Sequence, residues 1–168
     1  MMKAESFPPI AQQDARVLLL GSMPGVRSLE MQQYYAHPQN GFWYIMTSLL
    51  GAEAAEDYKT RTALLQQHKI AVWDVLKHCV RVGSLDSAIE KDSIVVNDFA
   101  GFFAAHPDIC HVFFNGKKAE QEYRRHVLPF LPEACQDIQY TGLPSTSPAM
   151  ASLSKQEKLK MWSCVTQV

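Results

Sequence analysis

Four apolar residues in a row, Val17-Leu18-Leu19-Leu20, stop at Gly21-Ser22-Met23-Pro24-Gly25, and this stop constrains the fold more than any other stretch of the chain. A short unbroken apolar run reads as a strand buried on both faces, which requires structure packed on either side of a sheet. Two glycines and a proline within five residues then allow a turn that other residues resist, and let a ligand approach bare main-chain N–H groups. Taken alone, the turn is equally a plain strand-to-helix connection. Beyond it lies a dense aromatic and amide run from Tyr34 to Tyr44, YYAHPQNGFWY. A flat, π-rich wall beside amide groups suits a flat heterocycle stacked on a ring and read along its edge. Phe42-Trp43, at the head of the apolar segment Phe42 to Leu50, read as core.

The rest of the chain repeats the pattern of apolar run, break and helix. A second strand, Ile70 to Leu76, is apolar except for Asp74 and continues into a polar loop, Lys77 to Ser87. Asp74 is either a functional carboxylate at a strand's C-terminal end or a loop cap that accepts backbone N–H groups. A third strand, Cys110 to Phe114, runs into Asn115-Gly116, and Asn115 is either a turn asparagine or a reader of a base edge with both a donor and an acceptor. A fourth, Ile138 to Tyr140, leads to a stiff hydroxyl-rich loop, Thr141 to Ala151. Helices are predicted over Trp43–Leu50, Asp57–His68, Asn97–Ala105, Lys117–Val127 and Lys155–Val165. The last follows Ser154 with Glu157 three residues on, a capping-box pattern, and turns Leu159, Trp162 and Val165 to the core. Four strands alternating with helices predict an α/β fold: a three-layer α/β/α sandwich around a central four-stranded, mainly parallel sheet, with the informative loops at the strands' C-terminal ends.

Composition sets the outer bounds. A length of 168 residues, 47% of them apolar, fits one domain with a sizeable core. Residues 1–15, with Pro8-Pro9 at their centre, read as a loosely attached lead-in to a single domain over 16–168. A net charge of −1 neither supports nor excludes nucleic acid. Cys79, Cys110, Cys135 and Cys164 form no C-x-x-C pair, so neither a zinc ribbon nor an iron–sulfur pattern is present, and they read as reduced, mostly buried thiols. No apolar run approaches the ~18 residues of a membrane span, and the expected location is cytoplasmic. His111 and His126 read as structural or surface residues.

Gly21 to Gly25 and Tyr35 to Trp43 match, in order, a Gly-x-x-Pro-Gly turn followed by an aromatic-Ala-His-Pro-x-Asn-x-Phe-Trp segment. With these motifs the chain resembles the uracil-DNA glycosylase superfamily, in particular its mismatch-specific and hypoxanthine-DNA glycosylase branches. The Asp74-to-Asp86 region resembles the corresponding loop of the hypoxanthine branch, and Thr141 to Ala151 the superfamily's second motif. The resemblance implies a monofunctional DNA glycosylase that hydrolyses the bond between deoxyribose and a flipped-out deaminated base. Tyr35 then stacks on the base, with Gly21, Met23 and Asn115 also lining it. Asn40, held by the His37-Pro38 turn, and Ser22 are the catalytic candidates. Ser145, Thr146, Ser147 and Arg81 are the DNA-binding ones, and Ser84 and Asp86 reach the DNA or brace the pocket. Neutral amide and main-chain groups do the work, with no ionised base, no metal and no cofactor, in a monomer whose partner is DNA.

Two departures from the family bear on the substrate. Met23 stands where the mismatch-specific branch carries a catalytic asparagine, and Ser145-Thr146-Ser147 lacks the histidine of the classical uracil enzymes. Both favour hypoxanthine. The alternatives are uracil in G:U mismatches or single strands, and a non-catalytic nucleotide- or partner-binding module in which Met23 marks a lost active site.

Overall fold

The computed structural model describes residues 3–53 and 56–168; Met1 and Met2, at the start of the expected lead-in, lie outside the described residues. Its elements run β1 (Lys3–Glu5), β2 (Val17–Gly21), α1 (Val26–Met31), α2 (Phe42–Leu49), α3 (Tyr58–Gln67), β3 (Ile70–Asp74), β4 (Leu76–Val80), β5 (Val95–Val96), α4 (Phe99–Ala105), β6 (His111–Asn115), α5 (Lys117–His126), β7 (Gln139–Leu143) and α6 (Lys155–Trp162), with short 3₁₀ turns between them. Leu18, Leu19 and Leu20 are wholly buried because β2 runs through the middle of a four-stranded sheet ordered β3-β2-β6-β7, in which every pairing is parallel.

Alternate residues of these strands serve two cores. Val17, Leu19, Val72 and Phe113 pack with Phe42, Trp43, Ile45 and Met46 of α2 and with Trp162. Leu18, Leu20, Trp73 and Phe114 pack with Phe99, Phe102 and Phe103 of α4 and with Tyr123 of α5. The sheet is therefore covered on both faces, as its apolar strands require. The chain leaves β2 for β3 on one side and later returns to β6 on the other, so the crevice beyond the end of β2 is the switch point at which open α/β sheets bind ligands.

Several boundaries differ from the sequence reading. The run Ile70 to Leu76 is two strands. Val75 N–H donates to Gly21 O at 2.9 Å and Leu76 N–H to Ser22 O at 3.1 Å, which carries the chain out of the parallel sheet just past Asp74. Residues Lys77 to Val80, expected in a loop, instead continue β4 in a second, antiparallel sheet ordered β1-β4-β5. The lead-in is not loose either. Ala4 of β1 lies opposite Cys79, and Ile10 exchanges two hydrogen bonds with Val72 along the outer edge of β3. Pro8 and Pro9 do not prevent this, because proline loses its N–H but keeps its carbonyl. β7 begins and ends later than expected, its polar Thr141-Gly142 being admissible on an edge strand.

Asp98 caps α4, while Asn97 donates to the main-chain oxygens of Asp74, at 2.8 Å, and Leu76. The capping box at Ser154 and Glu157 is formed, although α6 ends at Trp162 and continues as a 3₁₀ turn. All four cysteines are free, Cys79 and Cys135 buried and the other two half-buried. His111 stacks on Phe113 at 4.1 Å, a structural role. Among the described residues no helix is long and apolar enough to cross a membrane.

Candidate active site

A cavity of about 570 Å³ opens at the C-terminal ends of β2, β3 and β6, a size typical of small-ligand sites. Gly21, Asp74 and Asn115 form its floor. Gly21 is paired in register with Asp74 on one side, and on the other β6 continues one residue past the Leu20–Phe114 pair to Asn115. In-register parallel strands point their side chains to one face. The missing side chain of Gly21 leaves a notch between two polar ones, and the Tyr35 hydroxyl fills it. A Cβ built on Gly21 would lie 2.6 Å from Asp74 Oδ1 and 2.8 Å from the Tyr35 oxygen, so glycine is required here by close approach.

Tyr35 adopts φ 55°, the left-handed region that costs a non-glycine residue on the order of 1–2 kcal/mol. The surrounding contacts hold it there. Its ring stacks on Phe42 with centroids 4.0 Å apart and planes 18° apart. Neighbouring main chain is tied down by Ser28 Oγ, which accepts from Ala36 N–H, and by Trp43 Nε1, which donates to Tyr34 O. Tyr34 in turn donates its hydroxyl to Pro8 O at 2.8 Å, so the lead-in braces this wall. Burial, reinforced by the Asp74 charge, pushes the Tyr35 hydroxyl far above the ordinary tyrosine range and keeps it neutral.

Asn40 stands at the start of α2, in the turn set by Asn40 N–H donating to His37 O. Its Oδ1 accepts from Phe42 N–H at 2.9 Å, which fixes the side chain and leaves the amide Nδ2 as a donor at the cavity wall. Ser22 donates its hydroxyl to Asp86 Oδ1 at 2.6 Å, leaving the serine oxygen as an acceptor. Met23 is buried in the core beside the cavity and lines it.

Asn115 is held at both ends: its Oδ1 accepts from Thr146 N–H at 2.9 Å and its Nδ2 donates to Thr146 Oγ1 at 3.0 Å. Thr146 O accepts from Gly41 N–H, so one residue of the 145–147 loop joins the end of β6 to the start of α2. From the other side α6 supports the loop, through Trp162 Nε1 to Pro144 O and Lys158 Nζ to Ser147 O.

The sequence-based candidates thus divide. Gly21, Ser22, Met23, Tyr35, Asn40, Asn115 and Ser145 to Ser147 all line one cavity. Thr146, expected to grip DNA, is 2% exposed and faces inward to Asn115; Ser145 and Ser147 stay at the rim. Arg81, also expected on DNA, is likewise 2% exposed, and its Nη2 donates to Pro24 O. It braces the 21–25 turn from behind and cannot meet a phosphate. Asp74 does not cap the loop after β3: among the described residues its Oδ2 is buried with no partner. Burial and the nearby Asp86 charge push its carboxyl up to about 7, against the opposing pull of Arg81.

Asp74 and Asp86, expected as a functional or loop-capping carboxylate and as a brace of the pocket or a DNA contact, both line the cavity beside the neutral amide and main-chain groups. Lys158 and Trp162, absent from the sequence-based candidates, and Tyr34, expected only as part of the aromatic run, brace the site. Each acts through a main-chain carbonyl far away in sequence, a contact with no local signature.

Residues 8–166 match the Uracil DNA glycosylase superfamily. The chain is 38% identical over 119 residues to a hypoxanthine DNA glycosylase of Methanosarcina barkeri (strain Fusaro / DSM 804), covering 70% of this chain and 74% of that protein. It is 34% identical over 166 residues to a hypoxanthine DNA glycosylase of Methanosarcina acetivorans, covering 98% of each. The fold is similar to the solution NMR structure of a candidate uracil DNA glycosylase from Methanosarcina acetivorans, with a TM-score of 0.82 at 30% identity over 99% of this chain and 98% of that one. The matched span takes in all four strands of the parallel sheet and every residue that lines the cavity, and the chain belongs to the uracil DNA glycosylase superfamily.

Proposed function

We propose that this protein is a monofunctional DNA glycosylase that hydrolyses the N-glycosidic bond of a deaminated purine, chiefly hypoxanthine, in DNA. The observation that carries this reading is the Tyr35 ring, backed by Phe42 and lining a cavity that also holds Asn40 and the Gly21–Asn115 floor. Extruding a nucleotide costs a few kcal/mol, least for a mispaired base. A planar ring stacked against Tyr35 recovers part of that cost. The relatives' substrate, the absence of a histidine from 145–147 and Met23 in the turn all favour the purine over uracil.

The reaction needs a sugar that can bear cationic character, a departing base and a water on the sugar's open face. The Asn40 amide, committed at its oxygen to Phe42 N–H, offers its N–H groups to the water or the leaving base. Ser22, its proton given to Asp86, offers a lone pair to the water. The Asp86 carboxylate adds negative charge where the sugar becomes positive. Ser145 and Ser147 at the rim supply hydroxyls for phosphate oxygens. No metal or cofactor enters the scheme, and the protein acts as a cytoplasmic monomer.

Duplex oligonucleotides carrying one hypoxanthine or one uracil, incubated with the protein and then treated with alkali, test this. Strand cleavage with hypoxanthine alone is expected. Cleavage with uracil alone replaces the substrate, and cleavage with neither leaves a binding module.

A further inference from the structure

Among the described residues two side chains at the cavity floor keep a buried polar atom without a hydrogen bond, Tyr35, whose ring is the stacking platform, and Asp74. Asn115 bonds Thr146 through both its amide oxygen and one N–H, and Ser22 donates to Asp86. Asp74 is 3% exposed, lines the cavity, and has an Oδ2 that is buried without a hydrogen bond among the described residues. Leaving a buried acceptor unsatisfied costs about 1–3 kcal/mol, and such groups in a native structure call for an explanation. The neighbours rule out a purely structural one. Arg81, whose charge favours the ionised Asp74, donates Nη2 to Pro24 O and makes no hydrogen bond to the Asp74 carboxyl among the described residues, and the side chain of Asn97 bonds the main-chain oxygen of Asp74 rather than its carboxylate. Burial at the end of β3 also fixes the aspartate's direction, since this edge strand of the parallel sheet is held by β2 on one side and by the Ile10 bridge on the other.

Resting on the reading of the site as a purine pocket, we propose that Asp74 is the specificity residue that accepts the N1–H of a 6-oxopurine. Hypoxanthine presents a carbonyl at C6 and an N–H donor at N1. Adenine, the base from which it arises by deamination, presents a bare lone pair at N1. A carboxylate oxygen attracts the first and repels the second, so Asp74 separates the damaged base from its parent at the one ring atom where deamination reverses donor and acceptor. A site built to bond a substrate N–H rejects the analogue lacking it far more strongly than any apolar pocket rejects a change of size. Guanine shares the C6 carbonyl and N1–H, so Asp74 does not exclude it; exclusion of guanine falls to the cavity's shape around its 2-amino group.

The test crosses a protein change with a substrate change. Single-turnover excision rates are measured for wild type and Asp74→Ala on duplexes bearing hypoxanthine or unsubstituted purine, which has neither the C6 oxygen nor the N1–H. Asp74→Ala is expected to slow hypoxanthine excision by about 10²-fold or more and not to slow purine excision, whose bare N1 lone pair the carboxylate opposes in the wild type. Asp74→Asn, which keeps the side chain's shape, is run alongside and is expected to shift the preference in the same direction by a smaller factor, so poor folding of the alanine variant does not decide the outcome. Equal slowing of both substrates in both variants overturns the proposal and makes Asp74 a structural group. Wild-type protein that excises no hypoxanthine at all overturns the underlying purine reading instead, and the two failures are distinct.

Discussion

Asn115 and Asp74 stand on the two strands that flank Gly21, at the same level of the sheet, yet one is tied at both ends and the other at neither. Asn115 uses its carbonyl and amide on Thr146 and so fixes a loop. Asp74 is comparably buried, and its Oδ2 has no hydrogen-bond partner among the described residues. A satisfied buried polar group and an unsatisfied one look alike in sequence, but the first builds the walls of a site and the second faces what enters it.

On the function proposed above, recognition belongs to the floor and bond breaking to the far wall, and the largest expected effect tests that division. Asn40→Ala is expected to lower the single-turnover rate on hypoxanthine DNA by ~10²-fold or more, with about 1 kcal/mol of stability lost because Phe42 N–H loses its acceptor. Near-normal turnover would move the chemistry to the floor. Next, Gly21→Ala forces a methyl group between Asp74 Oδ1 and the Tyr35 oxygen. Overpacking of this kind costs about 1–3 kcal/mol, and displacement of the Tyr35 ring is expected to cut activity at least about tenfold. An active, stable alanine variant would show that the notch is not needed.

The two flanks then separate by pH. The folded-state carboxyl of Asp74 lies near 7, above its ordinary 3.8, so folding binds a proton more tightly than the unfolded chain does. The stability this contributes is complete below about pH 4 and is lost as pH rises through 7. Urea unfolding of wild type and Asp74→Asn across that window is expected to show the wild type weakening relative to the variant, by on the order of 2 kcal/mol. Parallel curves would mean that Asp74 is not buried as described. Smallest is Asn115→Ala, expected to cost about 1–2 kcal/mol in thermal or urea unfolding through the orphaned Thr146 N–H. Its preference for hypoxanthine over unsubstituted purine should match that of wild type; a changed preference would give Asn115 a share in reading the base and erase the contrast.

Much of this architecture was legible in the chain. Strands buried on both faces must be unbroken apolar runs, so Val17–Leu20 and Cys110–Phe114 announced themselves, and the loops at their ends followed. The second sheet was not legible. β4 buries only Leu76 and Cys79 of its five positions, without alternation, and its partner β1 has three residues, too short for a periodic signal. Within the site, residue types that suit a base were visible at Tyr35, Asn40 and Asn115. The inward turn of Thr146 and the burial of Arg81 depend on contacts across 31 and 57 residues of sequence, which no local pattern carries. Asp74 shows the same limit from the other side: the sequence revealed a carboxylate at a strand end, and only packing revealed that among the described residues its Oδ2 is buried without a hydrogen bond.

The 144–147 loop hangs from Trp162 and Lys158, residues synthesised well after it. Fraying of α6 would therefore slacken the rim at Pro144 and Ser147 while Gly21, Asp74 and Asn115 stay fixed in their strands, so a helix that never touches the cavity governs how firmly its mouth is set.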